Sequence, residues 1–189
     1  MDIGIGLFGL GTVGSGVVKI LQDNADQIAK RTGTHLLVKH AVVNNLEKKR
    51  TGFINNFPIT NDAKDILNNP EIQIVVEVMG TLDQAYKIIK DSLTAKKHVV
   101  TANKDLIASR GQELVAIAEA NGVDLFFEAA VAGGIPILRT LANSFTADEI
   151  SRVAGIINGT SNFILTQMTT NKLSYANALQ LAQKKGFAE

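Results

Sequence analysis

Short apolar runs alternate along this chain with stretches of helical spacing. "IGIGLFG" predicts a first strand, and Val13, Val17, Ile20, Leu21, Ala25 and Ile28 then recur on one face of a helix. "HLLVKHAVV" predicts a second strand and "IQIVVEVM" a third, followed by a helix through "DQAYKIIKDSLTA". "HVVTA" predicts a fourth strand, with a helix around Leu114, Ile117 and Ala118, and "DLFFEA" a fifth that ends on Glu128. Continuous apolar runs are what parallel strands covered on both faces look like, so the alternation predicts an α/β fold with a doubly wound parallel sheet.

The pattern changes after Ala132. "GGIPILRTLANSF" predicts a helix, "EISRVAGII" a strand, and "NGTSNFILTQMT" and "SYANALQLAQKKG" two more helices. The expected division is a first domain over residues 1–145 and the start of an α+β domain over 146–189. One strand and two helices bury too little surface to close a core unaided. Gly186, just after Lys184 and Lys185, has the form of a helix C-terminus.

Composition narrows the class of partner. The 189 residues include 19 basic and 18 acidic side chains, a balance that favours a small molecule over nucleic acid or an anionic membrane. No apolar run approaches the roughly 20 residues of a membrane span, and the N-terminus lacks a basic leader with a cleavage site, so cytoplasmic residence is expected. Without cysteine there is no disulfide or thiol chemistry.

Gly9-Leu10-Gly11-Thr12-Val13-Gly14 is a G-x-G-x-x-G between the first strand and the first helix. Its spacing predicts a tight turn at Gly9, close backbone approach to a pyrophosphate at Gly11, and close helix–strand packing at Gly14. The helix N-terminus offers N–H groups to phosphate, so the arrangement predicts a Rossmann-type dinucleotide site. At the end of the second strand, where NAD sites usually carry a carboxylate, stand Asn44 and Asn45, followed by Lys48, Lys49 and Arg50. That favours NADP(H) over NAD(H); a solvated charge run is the plainer alternative for the basic residues.

Behind the glycine motif come "VVTANKDLIA", "FEAAVAGGIPIL" and "GIINGTSNFIL". In that order they closely resemble homoserine dehydrogenase, over essentially the whole chain. The resemblance implies NAD(P)-dependent interconversion of homoserine and aspartate semialdehyde, on the branch leading to threonine, isoleucine and methionine. It implies Lys104 at the active site and a monovalent cation, Na+ or K+, held by Glu128 with backbone oxygens at Val131, Gly133 and Ile135. It also implies that Asn158, Thr160, Ser161 and Asn162 lie near the active site, although a helix N-cap with a polar first turn explains them as well. Thr81 stands beside Gly80 where the family commonly pairs glycines, so contacts to the cofactor there are expected to differ. Glu189 matches the glutamate that holds the substrate amino group. The aspartate and second lysine expected after it are not among these residues, so the chain reads as a fragment that binds cofactor without turnover. A homodimer or higher assembly is expected. Two other readings stay open, a dehydrogenase for a related amino acid and a non-catalytic redox sensor, though no basic recognition helix supports the latter. His35, His40 and His98 read as structural.

Overall fold

In a computed structural model, which describes every residue except Met1, Thr51, Asn56 and Glu189, the first apolar run becomes β1, Asp2–Phe8. It leads into α1, Thr12–Asp23, and α2, Ala25–Thr32. One continuous helical face was expected here. The break falls at Asn24, whose backbone leaves the helical region and whose side-chain amide donates to the Ile20 carbonyl, the local competition that makes asparagine a poor interior helix residue.

The chain continues through β2, His35–Val42, then β3, Ile59–Thr60, and α3, Lys64–Leu67, two short elements that the apolar pattern did not reveal. Next come β4, Ile72–Glu77; α4, Asp83–Thr94; β5, His98–Thr101; α5, Lys104–Asn121; and β6, Leu125–Phe126. The last strand is shorter than expected. Glu128 opens a 3-10 turn, Glu128–Ala130, rather than ending a strand. Beyond it lie α6, Ile137–Ser144; α7, Gly159–Thr170; and α8, Tyr175–Lys184.

All pairings are parallel and the strand order is β3-β2-β1-β4-β5-β6. The order reverses between β1 and β4, which opens a crevice at the carboxyl ends of those strands. On one face Ile66 of α3, Ile88, Ile89 and Leu93 of α4, and Leu106, Leu114 and Ala118 of α5 pack with Phe8, Val75 and Val99 of the sheet. On the other, Val18 of α1 packs with Ile5, Leu7, Ala41 and Val76. At the amino end of the sheet Lys97 is 6% exposed. Its ammonium donates to the carbonyls of Asn69 at 2.7 Å and Ile72 at 2.6 Å, fixing the start of β4. Burial pushes its pKa below the usual lysine range.

The chain divides into two compact units, one running up to Gly133 and the other beginning at Gly134. This division falls ahead of α6, whereas the expected boundary followed it. In the second unit Ile164 of α7 and Ala178 and Ala182 of α8 form a small core with Phe163, Met168 and Leu179 around it. α8 closes as its sequence suggests. Gly186 has φ +73°, its N–H reaches the Gln183 carbonyl at 3.0 Å, and the Phe187 N–H reaches Ala182 at 2.9 Å.

The strand expected at "EISRVAGII" does not form. No element includes residues 149–157, and Val153, Ile156 and Ile157 are 67%, 78% and 93% exposed. A strand needs a neighbour to satisfy its backbone groups, and none of the described residues pairs with this segment. Among the described residues no helix is long and apolar enough to cross a membrane.

Candidate dinucleotide site

The turn between β1 and α1 is shaped by what its glycines lack. Gly9 has φ +101°, and a Cβ there would stand 2.8 Å from the Val78 carbonyl oxygen. A Cβ on Gly14 would stand 2.0 Å from the Gly9 carbonyl oxygen, closer than any real contact, so α1 can approach β1 only with hydrogen at that position. Gly11 is different: nothing lies within 4 Å of the place its Cβ would occupy. The turn therefore leaves open space at the position where a pyrophosphate would approach the backbone. Gly11 is also the N-cap of α1, with no side-chain cap and no acidic residue in the first turn. The helix thus presents Thr12 and Val13, both exposed, at an N-terminus whose dipole favours an anion.

A cleft of ≈ 280 Å³ adjoins this turn. It is lined by Gly9, Leu10 and Gly11 from the turn after β1, by Asn44, Asn45, Lys48 and Arg50 from the loop after β2, and by Val78 and Met79 after β4. The loop after β2 is folded on itself. Asn45 Oδ1 accepts the Lys48 N–H at 3.0 Å, and the Arg50 guanidinium donates to the carbonyls of Lys48 at 3.0 Å and Asn45 at 3.1 Å. Arg50 Nε is buried without a protein partner. Two cations and two asparagines among the lining residues, with no carboxylate among them, suit a phosphorylated adenosine ribose. Of the basic run, Lys49 does not line the cleft.

The loops after β4 and β5 are joined by polar side chains that sequence inspection did not single out. Glu77, fully buried at the end of β4, accepts the Met79 N–H and the Thr101 hydroxyl, each at 2.7 Å. Asn103 donates from its side chain to the Thr81 carbonyl at 2.7 Å and, as the N-cap of α5, accepts the Leu106 N–H at 3.2 Å. Lys104 is the first residue of α5 and is exposed, 3.7 Å from the Asp105 carboxylate. Thr81 and Lys104 thus lie in two loops tied together at the carboxyl edge of the sheet. The signal that could have revealed Glu77 was an acidic residue inside the apolar run 72–79.

The remaining expected residues fall in both units. Glu128 is half-buried in its 3-10 turn; with Val131 and Gly133 it ends the first unit, while Ile135 belongs to the second. Among the described residues no three histidines, aspartates or glutamates gather around a possible metal position. Asn158 caps α7 by accepting the Ser161 N–H at 2.7 Å, and the Thr160 hydroxyl donates to the Phe187 carbonyl. Both polar residues therefore have structural work at the start of α7. Glu189 lies outside the described residues.

Comparison with known proteins adds the family. The homoserine dehydrogenase NAD-binding domain profile matches residues 9–128, and the homoserine dehydrogenase profile matches residues 136–189. The chain is 49% identical over 187 residues to homoserine dehydrogenase of Bacillus subtilis, covering 99% of this chain and 43% of the relative. Among solved structures, a homoserine dehydrogenase from Thiobacillus denitrificans superposes with a TM-score of 0.92 at 46% identity, over 100% of this chain and 44% of that one. A hyperthermophilic archaeal homoserine dehydrogenase in complex with NADPH gives 0.83 at 25% identity, over 100% of this chain and 63% of that one. The chain spans less than half the length of the curated relatives it matches. With a parallel sheet of Rossmann order, a glycine turn open only at Gly11, and profile matches over most of its length, this chain belongs to the homoserine dehydrogenase family.

Proposed function

We propose that the protein of which these residues form the cofactor-binding part interconverts L-homoserine and L-aspartate 4-semialdehyde with NADP(H) in preference to NAD(H), in the cytoplasm, in threonine, methionine and isoleucine biosynthesis. The observation that carries the reading is the glycine turn: two positions closed to a side chain, and between them one position open to a ligand. Gly9, Gly11, Thr12, Val13 and Gly14 would hold the pyrophosphate. Asn44 and Asn45 would face the adenosine ribose, with Lys48 and Arg50 beside its 2′-phosphate. That a relative was solved in complex with NADPH supports a site able to take the phosphorylated cofactor.

A bound nicotinamide would supply the hydride acceptor for oxidation of the alcohol. Lys104, exposed at the start of α5, holds and polarises the alcohol oxygen, while Thr81 faces the cofactor. Glu189 binds the substrate amino group. For the cation, the family resemblance alone points to Glu128 with backbone oxygens of Val131, Gly133 and Ile135 as donors to Na+ or K+. The exposed Val153, Ile156 and Ile157 support self-association as a homodimer or larger assembly.

The 189 residues by themselves are expected to bind cofactor without turnover, because positioning the substrate carbon contributes roughly 7–11 kcal/mol to such reactions and residues beyond these share that task in the proposed enzyme. The test follows cofactor reduction at saturating homoserine and alkaline pH, with full-length B. subtilis homoserine dehydrogenase as the positive control. Cofactor binding with no detectable reduction is expected. Turnover within about tenfold of the control, a barrier difference of only about 1.4 kcal/mol, would overturn these roles.

A further inference from the structure

The first unit contains a fully buried carboxyl group that the proposed chemistry does not use. Glu77 ends β4, in register with Phe8 of β1 on one side and Thr101 of β5 on the other. It therefore sits under the point where strand order reverses. A buried carboxyl group is costly unless it is hydrogen-bonded, and an apolar residue would seal the sheet at lower cost. Both partners of Glu77 are neutral donors, the Met79 N–H and the Thr101 hydroxyl.

Each partner leads out of the core to a different loop of the crevice. Met79 continues into Gly80, at φ +74°, and then Thr81. The Thr101 hydroxyl also accepts the Asn103 N–H at 3.1 Å, and Asn103 in turn holds the Thr81 carbonyl and caps the helix that begins with Lys104. One carboxyl group thus fixes the backbone of both loops relative to the sheet. In a sheet of this order the two halves of a dinucleotide lie on either side of the reversal. The adenosine half belongs with Asn44 and Asn45 after β2, which leaves the loops after β4 and β5 for the nicotinamide half.

We propose that Glu77, through Thr101 and Asn103, is a positioning residue for the nicotinamide half of the cofactor: it sets the loop carrying Thr81 and the start of the helix carrying Lys104. The inference rests on the dinucleotide reading above and deepens it.

The test titrates the 189-residue chain with NADPH and with adenosine 2′,5′-bisphosphate, which has the adenosine half and no nicotinamide. Thr101→Val keeps the side-chain shape and removes the hydroxyl. It is expected to weaken NADPH about tenfold, as loss of a buried hydrogen bond does, and to leave the bisphosphate within about twofold. Thr101→Ser, which keeps the hydroxyl, is expected to restore NADPH binding. Asn103→Ala, changed at a half-buried position, carries the same comparison if Thr101→Val does not fold. Equal weakening of both ligands, or no weakening of NADPH, would reduce Glu77 to a packing role and overturn the proposal. A wild-type chain that binds neither ligand would refute the dinucleotide reading itself, and this inference with it.

Discussion

Two apolar stretches of this chain meet opposite fates. Residues 2–14 form the central strand, its glycine turn and the first residues of α1, with Leu7 and Phe8 fully buried and a partner strand on each side of β1. Residues 149–157 are also apolar, yet Ile157 is 93% exposed and no described strand pairs with them. The difference is one of partners rather than hydrophobicity. An apolar run becomes a strand where neighbouring runs of the same unit satisfy its backbone; without them it stays irregular and exposed. Substitutions should therefore act on the fold in the first stretch and on association in the second.

The largest effect is expected from Gly14→Val. Its Cβ would meet the Gly9 carbonyl oxygen at 2.0 Å, and forcing α1 away from β1 should cost about 3 kcal/mol, in the overpacking range. A depressed melting temperature and loss of NADPH binding would be read together; a variant as stable as wild type would break the steric half of the comparison.

Lys97→Met should follow. It removes the charged donor that the Asn69 and Ile72 carbonyls share, at a cost of about 2 kcal/mol for hydrogen bonds from a charged group, while the Asn69 carbonyl still accepts the Ile72 N–H. The wild-type lysine also has a pH signature. Because burial lowers its folded pKa, the unfolded chain holds the extra proton between that lowered value and about 10.4. Stability should therefore rise with pH across this window and be lowest below it, where the ammonium is charged in both states. Denaturant titrations at several alkaline pH values would check this, and Lys97→Met should flatten the rise.

Asn45→Asp should change stability little and cofactor choice more. A carboxylate beside Lys48 and Arg50 would repel a 2′-phosphate and accept ribose hydroxyls, narrowing or reversing the preference for NADPH over NADH by about 1 kcal/mol, a typical charge-assisted contact. Parallel titrations would show it, and the wild-type gap should shrink with added salt.

The smallest effect on folding belongs to Ile157→Asp. At a position 93% exposed, stability should stay within about 0.5 kcal/mol, whereas the scattering mass of the chain at high concentration should fall. A large loss of stability with unchanged mass would show that this segment packs in solution.

How much of this was legible beforehand depends on the reach of each interaction. The glycine turn is a local steric matter, so Gly9, Gly11 and Gly14 could be assigned from six consecutive residues. The helix end at Gly186 was legible for the same reason. The break at Asn24 was local too, but the apolar spacing ran through it and hid the side chain's competing bond. Glu77 was visible as an acidic residue in an apolar run, while its partner Thr101 is 24 positions away on a strand that meets it only after folding. The stretch 149–157 has strand-like composition, and composition says nothing of whether a partner strand is at hand.

The most direct test of the dinucleotide site is a paired titration of the wild-type chain and Gly11→Ala with NADPH, followed by nicotinamide fluorescence, alongside their melting temperatures. A methyl group at Gly11 meets no protein atom within 4 Å, so the fold should be untouched and only a ligand approaching the backbone should feel it. The expected result is saturable binding by the wild type, weakened about tenfold or more in Gly11→Ala, about 1.4 kcal/mol, with superimposable melting curves. Equal binding by both proteins, or none by the wild type, would contradict a cofactor site at this turn.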